Sequence, residues 1–215
     1  MKIIFNHHEM ILHHSGILLW PKYQIGVVSD LHLEKGSHFA KRGFFLPPYD
    51  SQETLERLLK VCESENIKKL IILGDCFHDA KGFERLPPLA NDYFSQLSQF
   101  DPIWIKGNHD GDFIPDNMTG YEDFELDNVI FRHQAIAGEA NEISGHYHPK
   151  VNVIYKETRI QRDCFAINNK KIIMPAFGAY TGGLAVDNAV IKDLLENNFN
   201  VYALGQERIF NLLAL

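Results

Sequence analysis

Short apolar runs, each closing on a small or acidic residue, set the rhythm of this chain. Ile25, Gly26, Val27 and Val28, then Leu70, Ile71, Ile72 and Leu73, then Ile103, Trp104 and Ile105 are too short for helices and rich in β-branched side chains. They predict strands buried on both faces. Between them the apolar spacing changes from runs to a helical stripe. Thr54, Leu55, Leu58, Leu59 and Cys62 predict a helix with Asp50 or Ser51 as its N-cap and Glu53 and Glu56 in its first turns, near the positive end of the dipole. A loop containing Gly43 and Pro48 precedes it, and a second helix is expected from Leu89 to Leu97. Strand, helix, strand, helix, strand is the order of parallel α/β packing. After Asn128 the pattern changes to short strands with turns such as Asn168-Asn169, so the fold class expected is α/β, two sheets packed together with helices outside. At the amino end, His7-His8 and His13-His14 flank Met10, Ile11 and Leu12 ahead of Ser15-Gly16, a hairpin with polar ends.

Where the apolar runs stop, polar clusters begin. Asp30-x-His32, Gly74-Asp75-x-x-His78, Gly107-Asn108-His109-Asp110 and Gly145-His146-x-His148 follow one another down the chain. Residues two apart on an extended segment share a face, so the D-x-H and H-x-H steps each present two donors together. Carboxylate, amide and imidazole donors without thiolates suit borderline divalent ions. The donors are too many for one tetrahedral ion and fit two ions about 3.5 to 4 Å apart sharing Asp75, a pair that acidifies a bridging water and clamps a phosphate ester.

In this order the clusters resemble the signature of the calcineurin-like metallophosphoesterases, over roughly residues 24 to 180. The resemblance implies a four-layer αββα sandwich of two mixed β-sheets flanked by helices, in one domain spanning 1–215. It implies Asp30, His32 and His148 on a first metal, Asn108, His133 and His146 on a second, and Asp75 bridging them. Mn is the ion first expected, with Fe, Zn, Co or Ni compatible. His109 would be the catalytic residue, assisting departure of the leaving oxygen, with Asp110 orienting its ring. A narrower similarity runs through Asp30 to Phe39, Leu46 to Asp50 and Pro175 to Gly183, which look like the PdeM subfamily of ligase-associated DNA damage response endonucleases. Glu34 stands where that subfamily is expected to carry Gly. This narrower likeness implies a DNA nuclease working with a DNA ligase and a helicase; a nucleotide or cyclic-nucleotide phosphodiesterase on the same site is the alternative.

Composition adds limits. The 215 residues, 45% of them hydrophobic, can build a full core. No run approaches the roughly 20 apolar residues of a membrane span and the first residues lack a signal peptide's apolar stretch, so a soluble cytoplasmic protein is expected. Cys62, Cys76 and Cys164 have neither the number nor the spacing of a disulfide framework or a structural zinc site. A net charge of −7 argues against tight non-specific binding to nucleic acid. Between Pro149 and Ile172, however, six basic residues face two acidic ones, directly after the last donor pair, and this stretch is either a DNA-tracking face or a solvated one. His78 and Asp79 are expected on the loop over the site, and His38 partly buried on a helix face.

Overall fold

The computed structural model describes residues 1–40, 43, 47, 49–111, 113–115, 118–138 and 140–212. From the amino end, β1 (Lys2–Phe5), β2 (His8–Leu12), β3 (Leu18–Trp20) and β4 (Ile25–Val28) each run antiparallel to the one before. Asn6 and His7 turn the first hairpin with φ of 45° and 66°, the left-handed pair whose twist matches that of the strands. Parallel strands follow, reached through helices: α1 (Lys35–Ala40), α2 (Asp50–Ser64), β5 (Lys69–Leu73), α3 (Pro88–Gln96), β6 (Ile103–Ile105) and β7 (Thr119–Tyr121). The strand order of this first sheet is the chain order, β1 to β7.

The second sheet is built from β8 (Asp123–Leu126), β9 (Val129–Arg132), β10 (Glu142–Ser144), β11 (Lys150–Tyr155), β12 (Thr158–Ile167), β13 (Lys171–Ile173), β14 (Asn200–Leu204) and β15 (Ile209–Leu212), with α4 (Ala189–Leu194) between β13 and β14. Its order is β15-β14-β12-β13-β10-β9-β8, and β11 pairs with β12. β9, β10 and β13 are mutually parallel and the remaining pairs antiparallel, so both sheets are mixed.

Strand alternation decides the layers. Ile25, Val27, Ile71, Leu73, Ile103 and Ile105 point inward against Phe131, Ile143, Phe165 and Ile172 of the second sheet. Their neighbours Val28, Leu70, Ile72 and Trp104 point outward, against Leu55, Leu58, Leu59 and Cys62 of α2 and Phe94 of α3. On the far side, Cys164, Ala166, Ile173, Val201 and Ala203 pack against Ile191 and Leu195 at α4. The result is the expected αββα sandwich, in which the central strands β4, β5 and β6 have no wet face because helices cover what the second sheet does not.

Three local expectations change. Tyr49 precedes α2 without a side-chain cap, and Asp50 and Ser51 lie inside its first turn. Their side chains are used elsewhere: Asp50 Oδ2 accepts from Gly36 N at 2.9 Å and Ser51 Oγ from Glu34 N at 2.7 Å, which holds the loop after β4. α4 follows a capping Asn188, whose side chain accepts from Val190 N. β12 is a ten-residue strand rather than a short one. Of the loop from Gly43 to Pro48, and of the Leu46 to Asp50 segment, residues 44–46 and 48 lie outside the described residues, as does the tail beyond Leu212. The three cysteines are free and buried. Among the described residues no helix is long and apolar enough to cross a membrane.

Phe131 is fully buried at the interface of the two sheets. Phe131→Ala should lower the unfolding free energy by about 3–5 kcal/mol, read from chemical denaturation followed by circular dichroism.

Candidate metal centre

All the predicted donors sit just past the carboxyl ends of strands, three in the first sheet and two in the second. Asp30 and His32 follow β4, Asp75 follows β5, and Asn108 and His109 follow β6; His133 follows β9, and His146 and His148 follow β10. Because β4, β5 and β6 are parallel to one another, as are β9 and β10, these ends open on one cleft at the top of the sandwich.

The way the pairs converge differs from simple strand alternation. β4 ends at Val28, and Asp30 and His32 both take left-handed backbone conformations, φ 54° and 44°. Asp75, His146 and His148 do the same, at 48°, 69° and 45°. A non-glycine residue in this region costs roughly 1–2 kcal/mol, and Asp, Asn and His tolerate it better than most. Backbone hydrogen bonds hold the strained loops together. Asp30 N donates to Gly74 O at 3.2 Å, His32 N to Asp75 O at 2.9 Å, Leu33 N to Cys76 O at 2.8 Å and His78 N to Leu33 O at 3.0 Å.

Two glycines let the backbone come close enough. A Cβ on Gly145 would fall 1.6 Å from Ser29 Oγ and 2.5 Å from Asp30 Oδ2, and one on Gly178 would fall 2.0 Å from Leu31 O. The segment from Pro175 to Gly183 is thereby strapped against the first donor loop, with Phe177 N donating to Ser29 O at 2.8 Å and Gly178 N to Asp30 O at 3.1 Å. At Glu34, φ is 64°, a conformation that favours glycine; the glutamate is retained by Ser51, whose hydroxyl donates to Glu34 Oε1 at 2.8 Å.

The cleft holds two groups that could each take a metal ion: Asp30, His32 and His148, and Asp75, His133 and His146. Within each group the donor atoms lie within 4.8 Å of one another. In the first, His148 Nε2 is 3.0 Å from Asp30 Oδ1 and 3.3 Å from His32 Nε2. In the second, His133 Nε2 is 3.0 Å from Asn108 Oδ1, 3.1 Å from His146 Nδ1 and 3.4 Å from Asp75 Oδ2. Asp75 Oδ2 is also 4.0 Å from His32 Nε2, so it stands between the groups.

Second partners fix which ring nitrogens face inward. His133 Nδ1 meets Leu73 O at 2.8 Å and His148 Nδ1 meets Gly182 O at 3.2 Å. A carbonyl only accepts, so each Nδ1 carries the proton and each Nε2 is turned toward its group. Sequence patterns give no sign of these carbonyls, nor of the Ser29 hydroxyl that donates to Asp30 Oδ2 beside His146 N at 2.9 Å.

Electrostatics agree with a site made for cations. Asp30 Oδ1 is buried without a hydrogen-bond partner. Burial would raise the Asp30 carboxyl, but the His148 and His133 imidazoles beside it and the Ser29 hydroxyl hold it below its ordinary value. Asp75 is brought down to about 2, burial being outweighed by His133 and by His109 N, which donates to Oδ1 at 2.9 Å. Burial holds His32 at about 3, leaving it neutral. At His133 burial works downward, yet Asp75 and Asp30 push the imidazole up to about 9, so without metal a proton sits where a cation would bind.

His109 lies at the exposed rim. Its Nδ1 donates to His78 O at 3.0 Å and its Nε2 is 3.9 Å from Asp75 Oδ2. Asp110 does not orient that ring. Its carboxylate instead accepts from Phe77 N and Gly107 N, each at 3.1 Å, and so braces the loops after β5 and β6 against each other; burial pushes it up to about 6. His78 is half-buried, stacked on Phe39 and on His109, while His38 lies partly buried on α1 with Nδ1 2.7 Å from Asp79 Oδ2. His7, His13 and His14 lie in the two amino-terminal turns and His8 opens β2; none of them joins either group.

The model of the calcineurin-like phosphoesterases matches residues 23–202. Among solved structures, the chain is similar to the nuclease MPE of Pseudomonas putida, with TM-score 0.75 and 23% identity over 99% of both chains. It also aligns with the E. coli phosphoesterase YfcE, at TM-score 0.44 and 16% identity over 89% of this chain and 99% of the other. No curated protein matches it. With the family pattern running through 180 of its positions and covering every donor of the cleft, the chain belongs to the calcineurin-like phosphoesterase family.

Proposed function

We propose that the cleft is the active site of a phosphodiesterase that uses two divalent ions, and that its substrate is DNA, which it cleaves as a nuclease. One observation carries the reading: acceptors meet acceptors around two points. With the Nδ1 protons of His133 and His148 committed to carbonyls, the inward nitrogens face carboxylate oxygens and one another at 3.0 to 3.4 Å, an arrangement that cations satisfy. Asp30, His32 and His148 would hold one ion, Asn108, His133 and His146 the other, and Asp75 both. Mn suits these oxygen and imidazole donors, as do Fe, Zn, Co and Ni. Bound there, two ions supply an acidified water and neutralise charge on a phosphate ester.

The chain supplies the rest. His109, its ring fixed by the His78 carbonyl, keeps Nε2 toward the cleft, where the imidazolium form can give a proton to a departing sugar oxygen. A groove of about 390 Å³ runs beside Asn108 and His133, lined by Gln134 and by the ion pairs of Lys106 with Glu122 and Arg132 with Asp123, room for a substrate substituent. Support for DNA comes from the full-length likeness to a bacterial nuclease and from the three segments similar to the PdeM subfamily. That similarity extends the proposal to DNA repair beside a DNA ligase and a helicase.

A second reading, a small nucleotide or cyclic-nucleotide diester as substrate, is favoured by charge. The chain carries −7, and the basic stretch after Pro149 does not form one face. Lys150 is tied to Asp163 at 2.6 Å and Lys171 is buried on Glu142 at 2.8 Å, while Arg159 and Arg162 stand exposed on the β11–β12 hairpin.

Single-stranded and duplex DNA should be cleaved by Mn-loaded protein; turnover of small nucleotides with no cleavage of either DNA would replace the first reading by the second. Chelation should abolish hydrolysis and Mn should restore it. His109→Ala should lower kcat on DNA by about 10²–10⁴-fold with metal stoichiometry kept, while largely sparing bis(p-nitrophenyl) phosphate, whose nitrophenolate departs without a proton; a fall on DNA under three-fold would remove His109 from the chemistry. Gly145→Ala, which crowds Asp30, should weaken Mn affinity by about 10–100-fold in calorimetric titration.

A further inference from the structure

α1 begins three residues after His32, and the i, i+3 spacing of Lys35 and His38 sets them on one helix face. That face is turned toward the cleft. His38 packs edge-on against His78 with ring centroids 4.7 Å apart, and His78 lies nearly parallel to His109, at 5.6 Å and 15°. Around this cluster the acids are already engaged. Asp79 holds His38 at 2.7 Å and Arg85 at 2.7 and 2.9 Å, Asp50 accepts from Gly36 N at 2.9 Å, and Asp163 holds Lys150 at 2.6 Å. Lys35 is half-buried and makes no hydrogen bond or ion pair among the described residues. The segment 41–48 that follows contains no carboxylate in its sequence. Burial and the nearby charge of Lys150 lower its pKa, against a smaller pull from Asp50.

A half-buried ammonium without a counter-ion is costly, and cations bound in the cleft would repel it further. An anion reverses both terms. The scissile phosphate is already allotted to the two ions and His109; Lys35, whose charge acts on both His32 and His78, stands beside them for the next phosphate of a nucleic-acid strand. We propose that Lys35 binds a phosphate adjacent to the scissile one and so selects substrates with neighbouring phosphates over isolated diesters. The inference rests on the phosphodiesterase reading of the cleft and names a specificity-determining residue within it.

The test compares kcat/KM for wild type, Lys35→Gln and Lys35→Arg on three substrates: a thymidine dinucleotide, and the same dinucleotide with an added 5′- or 3′-terminal phosphate. Wild type should prefer one phosphorylated form. Lys35→Gln should lose about ten-fold more on that form than on the plain dinucleotide, and Lys35→Arg should restore most of the difference. On single-stranded DNA, the slope of log kcat/KM against log salt should fall by about 0.7 in Lys35→Gln, the share of one phosphate contact. Equal losses on all three substrates, or an unchanged slope, would overturn the assignment while leaving the nuclease reading intact. Wild type that hydrolyses bis(p-nitrophenyl) phosphate but no dinucleotide and no DNA would overturn both.

Discussion

Two carboxylates buried at the ends of neighbouring strands, Asp30 and Asp75, are the constraint around which the cleft is arranged. A buried anion is tolerated only when it is paired and hydrogen-bonded. The fold meets that demand for one oxygen of each group. Asp30 Oδ2 takes the Ser29 hydroxyl and His146 N, and Asp75 Oδ1 takes His109 N. The other oxygens, Asp30 Oδ1 and Asp75 Oδ2, are turned toward imidazole nitrogens that can satisfy them only as cations or through a shared metal ion. Half of each carboxylate thus anchors the backbone and half is kept for the chemistry.

That division requires five donor residues to sit in left-handed backbone conformations, at a combined cost of roughly 5–10 kcal/mol. Strain of this size persists only where the surroundings over-determine it. Here both sheets contribute: the inter-sheet core through Ile71, Leu73, Phe131 and Ile143 keeps the ends of β5, β9 and β10 in register. Asp110, braced across the loops after β5 and β6, does the same job with hydrogen bonds. Its position next to His109 in sequence points to a catalytic dyad, but its geometry is that of a tie between two turns.

What could be read from the chain follows from how local its signal is. Buried parallel strands show as uninterrupted β-branched runs, and the runs ending at Val28, Leu73 and Ile105 are strands within a residue. The donors of the four clusters were legible because each is marked by an adjacent glycine or a paired donor. His133 carries no such mark and entered only through the family resemblance. The carbonyls of Leu73, His78 and Gly182 that orient three imidazoles leave no trace in the sequence, since every residue has a carbonyl and only the tertiary fold aims it. Asp50 and Ser51 illustrate the converse: their residue types announce a helix cap, yet Gly36 and Glu34 compete for the same side-chain atoms and win.

Charge poses the last question, because a chain at −7 is proposed to accept a polyanion. Long-range attraction cannot supply the affinity, since the net charge is negative and many of the cations are committed to neighbours, among them Lys22 to Asp127, Lys60 to Glu56, Arg85 to Asp79, Arg132 to Asp123 and Lys171 to Glu142. Two divalent ions would themselves offset more than half of the formal charge, and at the one place where the substrate's phosphate must lie. With the ions bound, positive potential would be concentrated in the cleft rather than spread over a face, with the half-buried Lys35 beside it. A surface of that kind holds a strand by a few close contacts at the reacting phosphate and has little to hold it elsewhere, which favours brief engagement and release over tracking along the polymer.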